Sequence, residues 1–247
     1  MPGKLKAKYI QSLGQKKHRD EEGLFVAEGP KLVAELLGSS RENILEVHAV
    51  KEWIKENAHL HNVVMTEVSE SGLQKISQLK TPNQVVAVVK KYETGDTIIV
   101  KGKLSLVLDT IQDPGNLGTI IRIADWFGVE QIICSEDCAD IYNPKVVQAT
   151  MGSIARVKVF YTDLEEWLQS QKDIRIYAAL LEGKDVTKIG SLKEGLIVIG
   201  NESKGISSKI IEFINERITI PRKGQAESLN AAVATGIILS HLGKVES

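Results

Sequence analysis

Leu104-Ser105-Leu106-Val107-Leu108-Asp109, followed by Thr110-Ile111-Gln112-Asp113-Pro114-Gly115-Asn116-Leu117 and then Gly118-Thr119-Ile120-Ile121-Arg122-Ile123-Ala124-Asp125-Trp126-Phe127, decides the fold. The first run is apolar and β-rich, so it reads as a strand. Gly and Pro punctuate the second as a loop. Ile120, Ile121, Ala124 and Phe127 give residues 118–127 helical spacing, and residues 129–134 read as the next strand. Strand, glycine loop, helix and strand make a βαβ element, which repeats loosely through strands at 156–161, 174–181 and 196–200. The expected fold is α/β, a parallel sheet with helices on both faces.

Upstream, residues 24–89 alternate apolar runs with helical stretches: a strand at 24–27, a helix at 31–37, a strand at 44–50 and a closing strand at 84–90. That describes a small α/β domain. The polar, turn-rich Tyr92-Glu93-Thr94-Gly95-Asp96 marks a boundary, giving domains 1–92 and 93–247. Ahead of the small domain, Lys4, Lys6, Lys8, Lys16, Lys17 and Arg19 face one acid, Asp20, within the first twenty residues. This run reads either as a solvated terminus of little order or as an arm lying along RNA phosphates.

The chain has 247 residues and a formal net charge of -1, so it is not a globally basic nucleic-acid binder, and any RNA contact must be local. No apolar run approaches the roughly 18 residues of a membrane span, and Met1-Pro2-Gly3-Lys4 has no signal core, so a cytoplasmic protein is expected. Cys134 and Cys138 lack further Cys or His partners for a zinc site and read as reduced thiols at the end of a buried strand.

Three segments carry more special residues than packing requires. In the first, the loop before residue 118 can hold an anion on its backbone N–H groups, with Arg122 about one turn into the helix, unless that arginine is only a surface ion-pair partner. In the second, the strand Leu196-Ile197-Val198-Ile199 ends in Gly200-Asn201-Glu202-Ser203, where open parallel sheets bind ligands and glycine permits close approach. In the third, Ile218-Thr219-Ile220-Pro221 stops a short strand, a polar loop follows, and Ser228 or Asn230 caps a small-residue helix at 231–242. Capping needs one of those two residues and not both.

Asn-Leu-Gly…Arg-Ile-Ala, Gly-Asn-Glu and Glu-Ser-Leu-Asn, in this order, resemble the three signature motifs of SpoU-type (TrmH-like) RNA ribose methyltransferases of the SPOUT superfamily. Phe25-Val26-Ala27-Glu28-Gly29 and Lys80-Thr81-Pro82 are similar to the L30e-like substrate-binding domain that such enzymes often carry. The second motif usually ends in Gly where Ser203 stands here, and the upstream motif often reads Pro-Gln-Gly where this chain has Pro82-Asn83-Gln84. The resemblance implies a C-terminal deep trefoil knot, a homodimer with shared active sites, and methylation of a ribose 2′-hydroxyl in RNA, ribosomal more than transfer RNA and not DNA.

It also implies S-adenosyl-L-methionine as cofactor, held by Gly200, Ile220 and Leu229, with Asn116, Arg122, Glu202, Ser228 and Asn230 around the target ribose and its phosphate. No metal is required, because the leaving group departs as a neutral thioether. A guanidinium, with a pKa above about 12, is a poor base, so Arg122 is expected to bind phosphate and stabilise charge while Glu202, Ser228 and Asn230 fix geometry and relay the proton. Two rivals remain. One is a NAD-dependent oxidoreductase using Glu136 or Asp137 on a ribose, although the loop lacks Gly-x-Gly-x-x-Gly; the other is an inactive RNA-binding homologue.

Overall fold

The computed structural model describes residues 3–60, 63–95 and 97–243; Met1 and Pro2 of the basic run and Asp96 of the linker lie outside them. The chain divides into two units, one ending at Glu93 but also including Tyr142–Ala155, the other made of the remainder. The sequence reading assigns residues 142–155 to the second domain, yet their helix, α7 (Pro144–Thr150), packs against a strand of the first unit.

The first unit runs α1 (Lys4–Ser12), α2 (Lys16–Glu22), β1 (Leu24–Glu28), α3 (Pro30–Ser39), β2 (Ile44–Ala49), α4 (Lys51–Glu56), β3 (Met65–Glu67), α5 (Glu70–Gln74) and β4 (Val85–Lys90). Its sheet has the order β1-β4-β2-β3, with β4 antiparallel to both neighbours and β2 parallel to β3. The basic run is neither loose nor an extended arm. Ile10 and Leu13 are fully buried beside Val26, Leu73, Ile76, Val86 and Val88, so α1 helps to roof this sheet. Lys4 and Lys8 remain exposed on it. Arg19 of α2 is buried and donates from Nη1 to the carbonyls of Leu13 (3.0 Å) and Gly14 (2.7 Å), closing the turn between the helices. Apolar positions outweighed the charge density here, because side chains half a helical turn apart, as Lys8 and Ile10 are, face opposite media.

Glu28 is also internal. It accepts from the Ser77 hydroxyl (2.5 Å) and the Gln78 N–H (2.6 Å), and burial pushes its carboxyl above the usual carboxylate range against those two bonds.

The second unit contains β5 (Leu104–Asp109), α6 (Pro114–Trp126), β6 (Gln131–Ser135), β7 (Lys158–Thr162), α8 (Leu164–Gln169), β8 (Ile176–Asp185), β9 (Gly195–Gly200), α9 (Ser208–Ile211), β10 (Glu216–Thr219) and α10 (Ala231–Leu242). Every pairing in its six-stranded sheet, ordered β10-β8-β9-β5-β6-β7, is parallel. Val107, Ile133, Ala178 and Val198 pack with Leu164, Leu168, Ile206 and Ile210 of the α8 and α9 region. Helices α6 and α10 pack on each other and against β6 and β9. Among the described residues no helix is long and apolar enough to cross a membrane.

The helix expected from residue 118 begins at Pro114. Asp113 caps it, its Oδ1 accepting the Asn116 N–H at 2.8 Å, and proline at the first helical position has no N–H to waste. Gly115, Asn116 and Leu117 therefore belong to the helix and not to the loop before it, and Arg122 lies about two turns in. Cys134 and Cys138 are free and buried, with the Cys138 thiol accepting the Ile111 N–H at 3.2 Å. Burial raises the Cys134 thiol well above its ordinary value, whereas the bond from Cys134 lowers that of Cys138.

Candidate active site

Strands β5 and β9 are neighbours at the middle of the parallel sheet, paired from Leu104↔Gly195 to Asp109↔Gly200. Their carboxyl ends deliver the first two motifs side by side. The third arrives from β10 and the cap of α10, which packs along α6. The three segments meet at side-chain level. The Asn116 amide donates to Glu202 Oε1, and Asn230 Nδ2 donates to Asn116 Oδ1 at 2.7 Å. Asn230 also caps α10, its Oδ1 accepting from Ala232 (3.0 Å) and Val233 (3.2 Å). Glu202 is half-buried and its second oxygen has no partner among the described residues. The cluster thus presents a carboxylate oxygen outward from a fixed amide frame.

Arg122 and Ser228 are not part of that network. Both are exposed, and neither makes a hydrogen bond or ion pair among the described residues. The alternative of a surface ion pair at Arg122 therefore fails, since no acid meets it. At about 100° per residue, Arg122 points roughly 120° around α6 from Asn116. Thr119 and Trp126 share its side of the helix, and Trp126 is 84% exposed. Since Asn230 does the capping, Ser228 is left with its hydroxyl uncommitted.

Gly200 has a local reason to be glycine: a Cβ there would run into the backbone of Gly205 and Ile206, where the loop doubles back through the Asn201↔Gly205 bridge. The close approach is made by the chain itself. Ser203 needs no left-handed backbone, which falls instead on Gly205 (φ +70°), so serine in place of the usual glycine carries no strain. Ile220 is half-buried and Leu229 is 46% exposed. Leu181 was missed by the sequence reading as a mere strand residue. It is 71% exposed, and its carbonyl accepts the hydroxyl of Thr219, next to Ile220, at 3.0 Å. An apolar side chain left open on a parallel strand was the signal, visible only once the strand was placed.

Asp137, the rival ribose-binding acid, takes the Ser135 hydroxyl at 2.6 Å and lies 3.1 Å from that of Thr110, so it is committed to the loop.

The sequence profile of the SpoU rRNA Methylase family matches residues 103–240, and that of the MRM3-like substrate binding domain matches residues 4–87. The chain is 31% identical over 241 residues, 96% of its length and 95% of the relative's, to the Bacillus subtilis 23S rRNA (guanosine(2553)-2′-O)-methyltransferase RlmP. A TrmH-family structure from Porphyromonas gingivalis superposes with a TM-score of 0.85 at 34% identity, covering 98% of both chains. The structure of an AdoMet-bound rRNA methyltransferase from Sinorhizobium meliloti does so with 0.80 at 30% identity, covering 98% of this chain and 94% of that one.

Proposed function

The chain belongs to the SpoU rRNA methylase family, and on that premise we propose that it methylates a ribose 2′-hydroxyl of ribosomal RNA in the cytoplasm, using S-adenosyl-L-methionine. The observation that carries this reading is the Asn116–Glu202–Asn230 network, in which three motifs far apart in sequence converge beyond the carboxyl ends of β5 and β9. The profile match over residues 4–87 and the Bacillus relative favour ribosomal over transfer RNA.

The residues present fit the cofactor. Exposed or half-buried apolar side chains at Leu181, Ile220 and Leu229, beside the backbone at Gly200, suit an adenosine that needs a flat apolar wall and main-chain polar groups. When bound, S-adenosyl-L-methionine supplies a methyl group activated by a sulfonium. Glu202, Ser228 and Asn230 orient the ribose hydroxyl, and the open oxygen of Glu202 would take its proton as O2′ accepts the methyl group and the cofactor leaves as a neutral thioether. Arg122 grips the neighbouring phosphate and stabilises the charge building on O2′. The deep trefoil knot is part of the same reading, expected from the likeness to the TrmH-family structure over the whole chain.

A homodimer belongs to it as well. Trp126 of α6 and Val233 of α10 stand 84% and 51% exposed on two helices that pack together, apolar side chains suited to a twin copy. Sedimentation at micromolar concentration should show a dimer; a fully active monomer would refute it. Methyl transfer is tested by incubating the protein and labelled cofactor with 23S and transfer RNA and mapping 2′-O-methylation. A single modified 23S nucleotide is expected, whereas modification of transfer RNA alone would overturn the substrate assignment.

A further inference from the structure

The Asn116–Glu202 hydrogen bond joins residues 86 positions apart, so something must hold their two loops in register. The carboxamide of Asn201 faces both ways. Its Oδ1 accepts the N–H groups of Ser203 (2.9 Å) and Lys204 (3.1 Å), shaping the turn around Glu202, while its Nδ2 donates to the Thr110 carbonyl at 2.9 Å, in the loop that leads to Asn116. Asp109, 5% exposed, makes the second crossing: its Oδ2 accepts the Ser207 N–H at 2.7 Å.

Between these crossings Thr110 holds φ +60°, a conformation that strains a β-branched residue and persists only where neighbours impose it. The neighbours are visible. Its N–H donates to Ser135 Oγ at 2.9 Å, and its hydroxyl lies 3.0 Å from Asp109 and 3.1 Å from Asp137. The strained bend is what turns the Thr110 carbonyl toward Asn201.

We propose that Asn201 and Asp109 are positioning residues: a two-point latch between the β5–α6 and β9–α9 loops that sets the Asn116–Glu202 pair against the ribose hydroxyl. Neither side chain needs to touch substrate. The inference rests on the methyl-transfer reading above, and it gives a strained threonine and a buried aspartate one shared purpose.

Asn201→Asp separates latch from turn. It is isosteric and keeps the oxygen that accepts from Ser203 and Lys204, but it sets a second carboxylate oxygen against the Thr110 carbonyl. Expected is a fall in kcat of at least about tenfold, because angstrom-scale misplacement costs up to about a hundredfold, with cofactor Kd and RNA KM within about threefold. Amide hydrogen exchange of residues 111–117 should quicken while Ser203 and Lys204 stay protected. Asp109→Asn should stay within about threefold of wild-type kcat, since its carbonyl can accept from Ser207 and its amide can donate to the Thr110 hydroxyl, whereas Asp109→Ala should match Asn201→Asp.

Wild-type kcat in Asn201→Asp would overturn the latch, as would equal losses of kcat, KM and cofactor affinity that track a smaller folded fraction. Asp109→Asn as damaging as Asp109→Ala would overturn the second crossing. If wild-type protein transferred no methyl group, the functional reading would fall instead, and the exchange pattern of Asn201→Asp would still decide the latch.

Discussion

The N-terminal helical pair and helix α6 each carry an arginine, and the two have opposite fates. Arg19 is 2% exposed and its guanidinium is turned inward onto the carbonyls of Leu13 and Gly14. Arg122 lies in the open with no partner among the described residues. The carboxylates repeat the contrast: Glu28 is closed over by Ser77 and Gln78, whereas Glu202 keeps one oxygen open. A charged side chain turned inward onto partners of its own unit holds the fold. One held on a rigid frame with its bonds unmade is available to a ligand.

The hardest test of this contrast is Arg122→Ala. Turnover should fall by at least about a hundredfold, the usual loss when a charge-stabilising donor leaves an active site, with cofactor affinity and thermal stability nearly unchanged. Arg122→Lys should rescue little, because a point charge lacks the planar two-pronged grip on phosphate. Single-turnover methyl transfer with parallel cofactor titration reads both. Near-normal rates would make Arg122 as inert as any surface arginine.

Arg19→Met should do the reverse. Leaving two buried carbonyls without donors should lower unfolding free energy by about 2 kcal/mol, measured by denaturant titration, while kcat of the folded fraction stays within a factor of two. A larger effect on kcat than on stability would collapse the distinction between the two arginines.

The smallest effect is expected at the exposed lysines of α1. Since Ile10 and Leu13 are core residues, deleting the basic run would confound binding with folding, so the paired substitution Lys4→Gln and Lys8→Gln is the cleaner probe. RNA affinity should weaken modestly, and the slope of log K against log salt should drop by about one to two, because each phosphate that a lysine no longer neutralises keeps its counterion. An unchanged slope would remove α1 from the RNA-binding surface.

Strands were the most legible part of the fold. β5 falls on Leu104–Asp109 as read, because an apolar run bounded by turn residues admits little else. α10 likewise covers Ala231–Leu242. Elsewhere local rules competed: Pro114 and Gly115 argued for a loop, and the Asp113 cap with proline at the first helical position won. β8 continues through Glu182, Gly183 and Lys184 to Asp185, past the expected end at 181, because pairing with β10 needs only backbone groups and leaves polar side chains to solvent. In α1 and α2 the charges hid two core residues. For the site, the motifs named Asn116, Glu202 and Asn230, but their contact is a tertiary fact that no spacing encodes. The Thr110 bend and the double duty of Asn201 were invisible for the same reason, since each depends on partners distant in the chain.

The exposure of Trp126 has a practical side. The chain has three tryptophans, and Trp53 is 2% exposed in the first unit while Trp167 is half-buried against the α8–α9 core of the second. Only the third sits in water, one turn from Arg122. Its indole emission is therefore a built-in optical gauge: a soluble quencher reaches it far more readily than the other two, and whatever covers that side of α6, nucleic acid or a twin chain, shields it without any attached dye.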